Sequence, residues 1–138
     1  MPGRHLVIIL DTHVLIWWVN DSKQLSSTGK RAINKALKRG EEILISSISA
    51  WEIIMLVKKD RLTLTMDVND WIVTTAAIEG VRYIPVDNTV AMQSAVLPGE
   101  FHSDPADRMI VALARHYSAP LVTADKRILA YEHVKTIW

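Results

Sequence analysis

The stretch Leu6-Val7-Ile8-Ile9-Leu10-Asp11-Thr12 decides the reading of the fold. Five apolar residues run straight into an aspartate. A short, continuous apolar run fits a strand buried on both faces, as in the middle of a parallel sheet. A carboxylate does not belong in such a strand, so Asp11 must stand where the strand leaves the core. In an open α/β sheet the carboxyl ends of the strands are where ligands bind. Asp11 is therefore either one of several acids gathered around a divalent metal, or only the start of a turn or the cap of the next helix.

Size and composition limit the choices. A chain of 138 residues suits one domain over 1–138 with a real core. Apolar residues make up 49% and charged residues 22%, as in a globular protein. No cysteine is present, which excludes disulfides and thiolate metal sites and fits a reducing cytoplasm. The leading Met1-Pro2-Gly3-Arg4-His5 and the five-residue apolar run are too short for a signal peptide or a membrane span. A cytoplasmic protein with no membrane partner is expected. Sixteen basic against fifteen acidic side chains leave a formal charge of +1, so any nucleic-acid contact must come from local patches.

Outward from the opening stretch, strands and helices alternate. His13–Asn20 can form a short helix bearing Trp17 and Trp18, either a partner surface or helix packing. Ser26, Ser27 or Thr28 can cap a helix to about Arg39, ended by Gly40. Its apolar side holds Ile33, Ala36 and Leu37. Its other side holds Arg31, Lys35, Lys38 and Arg39, a solvated face or a phosphate contact. A strand at Ile43-Leu44-Ile45 leads into Ser49-Ala50-Trp51-Glu52, a capping-box spacing. That helix runs to the basic cluster Lys58, Lys59 and Arg61. Asp67 or Asn69 starts another helix, ending at Gly80, before a third strand over Val81–Val86, cut short by Pro85. A helix around Thr89–Val96 and a loop follow. Asp104-Pro105-Ala106-Asp107 is a strong helix start: N-cap, Pro at the first helical position, acid at N3. Leu121-Val122-Thr123-Ala124-Asp125 repeats the opening pattern, and Val134–Ile137 can be a last strand. This alternation implies a doubly wound, mainly parallel sheet.

Four acids then fall on one edge. Asp11 and Asp125 end apolar strands, while Glu52 and Asp107 begin helices after loops. Crowded carboxylates repel and need a counter-charge. Oxygen ligands without sulphur favour Mg²⁺ or Mn²⁺ over zinc. Such ions polarise phosphoryl oxygens and activate water, the chemistry of phosphodiester hydrolysis. Each acid also has a simpler reading. Glu52 and Asp107 can be N3 residues favouring the helix dipole, worth about 0.3–1 kcal/mol, and Asp104 and Asp125 can be caps. Thr12, Ser47 and Thr123 can hydrogen-bond the carboxylates or simply satisfy backbone. Arg108 suits phosphate or a surface ion pair. His13 and His102 have no metal-ligand spacing and read as ordinary polar residues. No phosphate-binding glycine loop is present.

The four blocks together resemble a PIN domain, in particular the VapC-type toxins of toxin–antitoxin pairs. They are Leu10-Asp11-Thr12-His13, Ser49-Ala50-Trp51-Glu52-Ile53, His102-Ser103-Asp104-Pro105-Ala106-Asp107-Arg108 with its Ile110–Ala114 helix, and Leu121-Val122-Thr123-Ala124-Asp125. The resemblance covers nearly the whole chain. It implies a three-layer α/β/α sandwich and a Mg²⁺- or Mn²⁺-dependent endoribonuclease. It places Asp11, Glu52 and Asp107 as core acids, Asp125 as a more variable fourth, and Asp104 as an accessory acid three residues before Asp107, a candidate to stand behind the ligands. It also implies a homodimer and a cognate antitoxin whose tail covers the site. Ala106 stands where the family usually has an aromatic, which bears on substrate rather than chemistry. The expected RNA contacts are Arg31, Lys35, Lys38, Arg39, Lys58, Lys59, Arg61 and Arg108.

Two rivals come from other classes. A receiver domain would share the sheet and bind Mg²⁺, but needs a phosphoacceptor after its middle strand, where this chain offers Pro85-Val86-Asp87, and a late lysine, here Lys126. A catalytically silent PIN interaction module would keep the fold without needing intact acids.

Overall fold

A computed structural model describes residues 6–138; the expectation for Met1–His5 lies outside them. Five strands form one all-parallel sheet: β1 (Val7–Leu10), β2 (Glu42–Ser46), β3 (Val81–Ile84), β4 (Leu121–Val122) and β5 (Thr136–Ile137), in the order β3-β2-β1-β4-β5. β1 pairs with β2 through Ile8 opposite Ile43, and with β4 through Leu10 opposite Val122. The helices are α1 (Thr12–Val19), α2 (Ser27–Lys38), α3 (Ser47–Lys58), α4 (Val68–Ala76), α5 (Asn88–Ala95), α6 (Pro105–His116) and α7 (Lys126–Leu129).

The period-two alternation of a strand sorts the core into two halves. Ile9 and Leu44 point into a cluster with Ile110, Leu113 and Ile128, beneath α5, α6 and α7. Ile8, Leu10, Ile43 and Ile45 point the other way, onto Leu15, Ile33, Ile53 and Trp71 of α1–α4. Three layers result. Each fully buried Leu or Ile contributes roughly 1.5–3 kcal/mol, which is why β1, in the middle, tolerates no polar residue until Asp11.

Several local expectations need correction. Ser46, not Ser49, caps α3, its hydroxyl accepting from Ile48 N–H at 3.2 Å. β2 feeds α3 without an intervening loop, so the helix starts earlier and Glu52 stands in its second turn. The Ser49–Glu52 capping box does not form. α4 ends at Ala76, not at Gly80; Gly80 (φ +90°) instead makes the turn into β3. The interruption expected at Pro85 does occur: β3 stops at Ile84, because Pro85 carries no N–H for the ladder. Ser26, Asp67, Asp104 and Asp125 do cap their helices, and Gly40 (φ +71°) follows α2 in the left-handed conformation that suits glycine.

The chain moves outward from β1 to β2 and β3, then crosses back to lay β4 on the other side of β1. β1 and β4 therefore flank the point where strand order reverses, the crevice where open α/β sheets hold ligands.

Candidate active site

Five acids from four segments line one cleft of about 580 Å³ at that crevice: Asp11, Glu52, Asp104, Asp107 and Asp125. Asp11 is delivered by the end of β1 and is 92% buried, its 8% exposure lying toward the cleft. Two donors aim its carboxylate: Thr12 N–H at 2.8 Å and the Thr123 hydroxyl, from the end of β4, at 2.7 Å. Thr123 Oγ1 in turn accepts from Asp125 N–H at 3.0 Å, tying the two strand-end acids together. Glu52 is aimed by a second relay. Thr12 Oγ1 donates to Glu52 Oε1 at 2.5 Å and lies 2.8 Å from the buried Ser49 hydroxyl. Ser49, whose capping role fails, therefore supports the glutamate's neighbour instead. Asp107 sits at N3 of α6, where its N–H is capped by Asp104 Oδ1 at 3.0 Å.

The electrostatics follow from this crowding. Burial, and then the charges of Asp11, Asp104, Asp125 and Glu52, push the Asp107 carboxyl up to about 7. Burial also raises Asp11, against the pull of its Thr123 and Thr12 hydrogen bonds. It raises Glu52 too, against the bond from Thr12 and assisted by repulsion from Asp11 and Asp104. Acids that resist ionising together form a site that wants a cation.

Two basic groups unsuspected from the sequence reach into the acids. His102 Nε2 lies 3.1 Å from Asp107 Oδ2, yet it is buried and finds no aligned hydrogen-bond partner. Its Nδ1 accepts from Asp104 N–H at 3.3 Å. In the neutral ring that bond puts the proton on Nε2, facing the carboxylates. Arg127, on the first turn of α7, is 3.5 Å from both Asp107 and Asp125. Among the described residues, His102, Asp107 and Asp125 form the group whose donor atoms lie within 4.8 Å of one another. Asp11 and Glu52 line the same cleft, each turned onto its threonine. Arg127 carries no motif, and His102 opens one of the resemblance blocks without a role of its own; the signal was only position, His102 two residues before a helix cap and Arg127 two after Asp125.

The predicted basic contacts divide. Arg61 lines the acidic cleft. Arg31, Lys35 and Arg39 line a different groove with Ile8 and Ile137, while Lys38, Lys58 and Lys59 are exposed outside the cleft. Arg108 turns inward: its guanidinium donates to the carbonyls of Ser94 (2.8 Å), Phe101 (2.9 Å) and His102 (3.1 Å). Trp17 and Trp18 are half-buried, Trp17 in the cleft wall against Trp138, and Trp51 is 56% exposed. Ser47 begins α3, and His13 is exposed at the cleft. Asp87, the acid a receiver would need, caps α5 through Val90 N–H at 2.9 Å and does not enter the cleft.

A parallel five-stranded sheet with acids gathered at its reversal point defines an acid-cluster α/β domain. The chain belongs to the PIN domain family, whose model matches residues 8–134. It is 34% identical over 133 residues to Ribonuclease VapC22 of Mycobacterium tuberculosis (strain ATCC 25618 / H37Rv), covering 95% of this chain and 98% of that protein. Its fold is similar to that in the crystal structure of VapBC2 from Rickettsia felis bound to a DNA fragment from their promoter. There the TM-score is 0.69 at 15% identity, over 95% of this chain and 97% of that one. A toxin–antitoxin complex from Klebsiella pneumoniae is similar with a TM-score of 0.59 at 22% identity, over 92% and 94%.

Proposed function

We infer that this chain is a metal-dependent endoribonuclease, the toxin of a toxin–antitoxin pair. The observation that carries the reading is the convergence of Asp11, Glu52, Asp104, Asp107 and Asp125 on one cleft, with Asp107 pushed up to about 7 by burial and by the other four. The similarity to Ribonuclease VapC22 supplies the substrate class.

The donor set fits a hard divalent cation: carboxylate oxygens, no thiolate, and mutual repulsion that such an ion relieves. Asp11, Glu52, Asp107 and Asp125 would hold Mg²⁺ or Mn²⁺, with Asp104 behind them as the cap of Asp107. A divalent ion there supplies polarisation of the phosphoryl group and activation of the attacking water. The protein does the rest. The Thr12 and Thr123 hydroxyls fix the directions of Glu52 and Asp11. The Arg127 guanidinium offers a positive hydrogen-bonding group to a phosphate at the rim, while the neutral His102 Nε2–H faces Asp107 from behind. Of the basic side chains, Arg61 and Arg127 are our assignments for RNA contact, since they share the cleft with the acids.

The partners follow the same reading. A cognate antitoxin would cover the cleft, and the protein would act in the cytoplasm as a homodimer. Among the described residues no helix is long and apolar enough to cross a membrane. Cleavage of RNA by the purified protein, with Mg²⁺ or Mn²⁺ and with chelator, tests the proposal. Cleavage should need the metal and fall at least a hundredfold in Asp11→Asn and Asp107→Asn proteins. Equal rates in parent and variants would overturn it.

A further inference from the structure

A second cavity, of about 530 Å³, opens directly beside the acids; it shares Arg127 with their cleft, and His102 in its wall lies 3.1 Å from Asp107. Its walls are of another kind. Phe101, Tyr131 and His133 supply rings, with centroids 4.8 Å apart for Phe101–Tyr131 and 5.4 Å for Tyr131–His133. The size lies within the roughly 300–1,000 Å³ of small-molecule sites.

We propose that this cavity is a subsite for one nucleobase of the RNA, stacked on Phe101, adjoining the phosphate at the carboxylates. The proposal rests on the nuclease reading and deepens it. Three features favour a neutral, flat, aromatic occupant. Phe101 lines the cavity half-buried and braced by His102 and the buried Tyr131, a fixed ring edge of the kind every base can stack against. Glu100 and Glu132 on the rim are both exposed acids that would repel a second phosphate but not a base. Arg127 and His102 stand at the junction, where the backbone would pass between base and scissile bond. The platform is also built in advance. Arg108 holds the carbonyls of Phe101 and His102, and the Tyr131 hydroxyl donates to the Pro98 carbonyl, so both ends of the loop are tied down. Gly99 (φ +65°) turns that loop tightly against His133, where a Cβ would meet Nε2 at 3.2 Å.

The test walks a single abasic ribose along a short RNA cut at one bond. For the parent, kcat/KM should fall roughly tenfold or more when the abasic position is the one flanking the cut, as expected for losing one stacked base. Phe101→Leu, which keeps apolar volume but no stacking ring, should lose the same factor on intact RNA and be indifferent to that abasic position. His133→Ala, on the opposite and partly exposed wall, should show a smaller coupling of the same kind and serves if Phe101→Leu does not fold. If the two losses simply multiply in both variants, the subsite is wrong. If the protein cuts no RNA, the same walk is read by fluorescence anisotropy in Mg²⁺. Coupling in binding would then support the subsite while the nuclease reading fails, and its absence would overturn the subsite as well.

Discussion

Replacing Asp107 by Asn should make the metal-free protein more stable while abolishing its activity. Asp107 is 9% exposed at N3 of α6, and its carboxyl moves from 3.8 to about 7, first by burial and then by four neighbouring acids. The sign follows from proton binding. Between about 7 and 3.8 the folded protein holds a proton on this carboxyl that the unfolded chain has released. Stability therefore rises as pH falls through 7 and levels off near 4; above 7 the full penalty is present. That penalty is roughly 4 kcal/mol at about 1.4 kcal/mol per pH unit. Solvent reaching the open cleft screens it, so we expect about 2 kcal/mol. Asn keeps the shape and the N–H that Asp104 caps, and carries no charge. At pH 8 in chelator, Asp107→Asn should melt roughly 6–8 °C above the parent. At pH 5 the gap should shrink to about 3 °C, and near pH 4 it should almost vanish. Added Mg²⁺ should stabilise the parent and leave the variant almost unmoved, because binding to the folded state alone raises stability. A variant that is no more stable than the parent at pH 8 in chelator would refute the claim that the acids strain one another.

Two further substitutions probe how the cleft is held. Thr123→Val preserves shape but deletes the donor 2.7 Å from Asp11 and the acceptor of Asp125 N–H. It should cost about 1–3 kcal/mol by urea unfolding and lower kcat at saturating Mg²⁺ by tenfold or more. Arg108→Ala strips three backbone carbonyls of their partner. A loss of about 1.5–3 kcal/mol with unchanged salt dependence of RNA binding would mark it as a loop clamp; unchanged stability with a shallower salt slope would restore it as a phosphate contact.

How far the chain could be read depended on whether a residue's role was local. LVIILD and LVTAD declare buried strands ending on acids because burial and charge are incompatible within one strand, and both strands lie side by side in the sheet. The Asp-Pro-Ala-Asp start of α6 was legible for the same reason: caps are settled within four residues. Glu52 does line the cleft, but the local capping box offered for it does not form, since the register between β2 and α3 is set by packing and moves the cap to Ser46. His102 and Arg127 were illegible. Their roles depend on the loop before α6 folding back toward α7, and nothing in either neighbourhood encodes that approach. The stripe on α2 shows the opposite error: its periodicity predicted an exposed face correctly, but periodicity does not say which edge of the sheet that face serves.

The short edge strand β5 has a practical bearing on the chemistry. Ile137 O accepts from Thr123 N–H at 3.2 Å, and Thr123 then grips Asp11, while Trp138 leans on Trp17 in the cleft wall. Two steps of bonding thus separate the last residues from the first acid. Trimming 136–138, or fusing a bulky affinity handle there, would loosen Asp11 from behind, and a silent preparation would then reflect the cloning scheme rather than the protein.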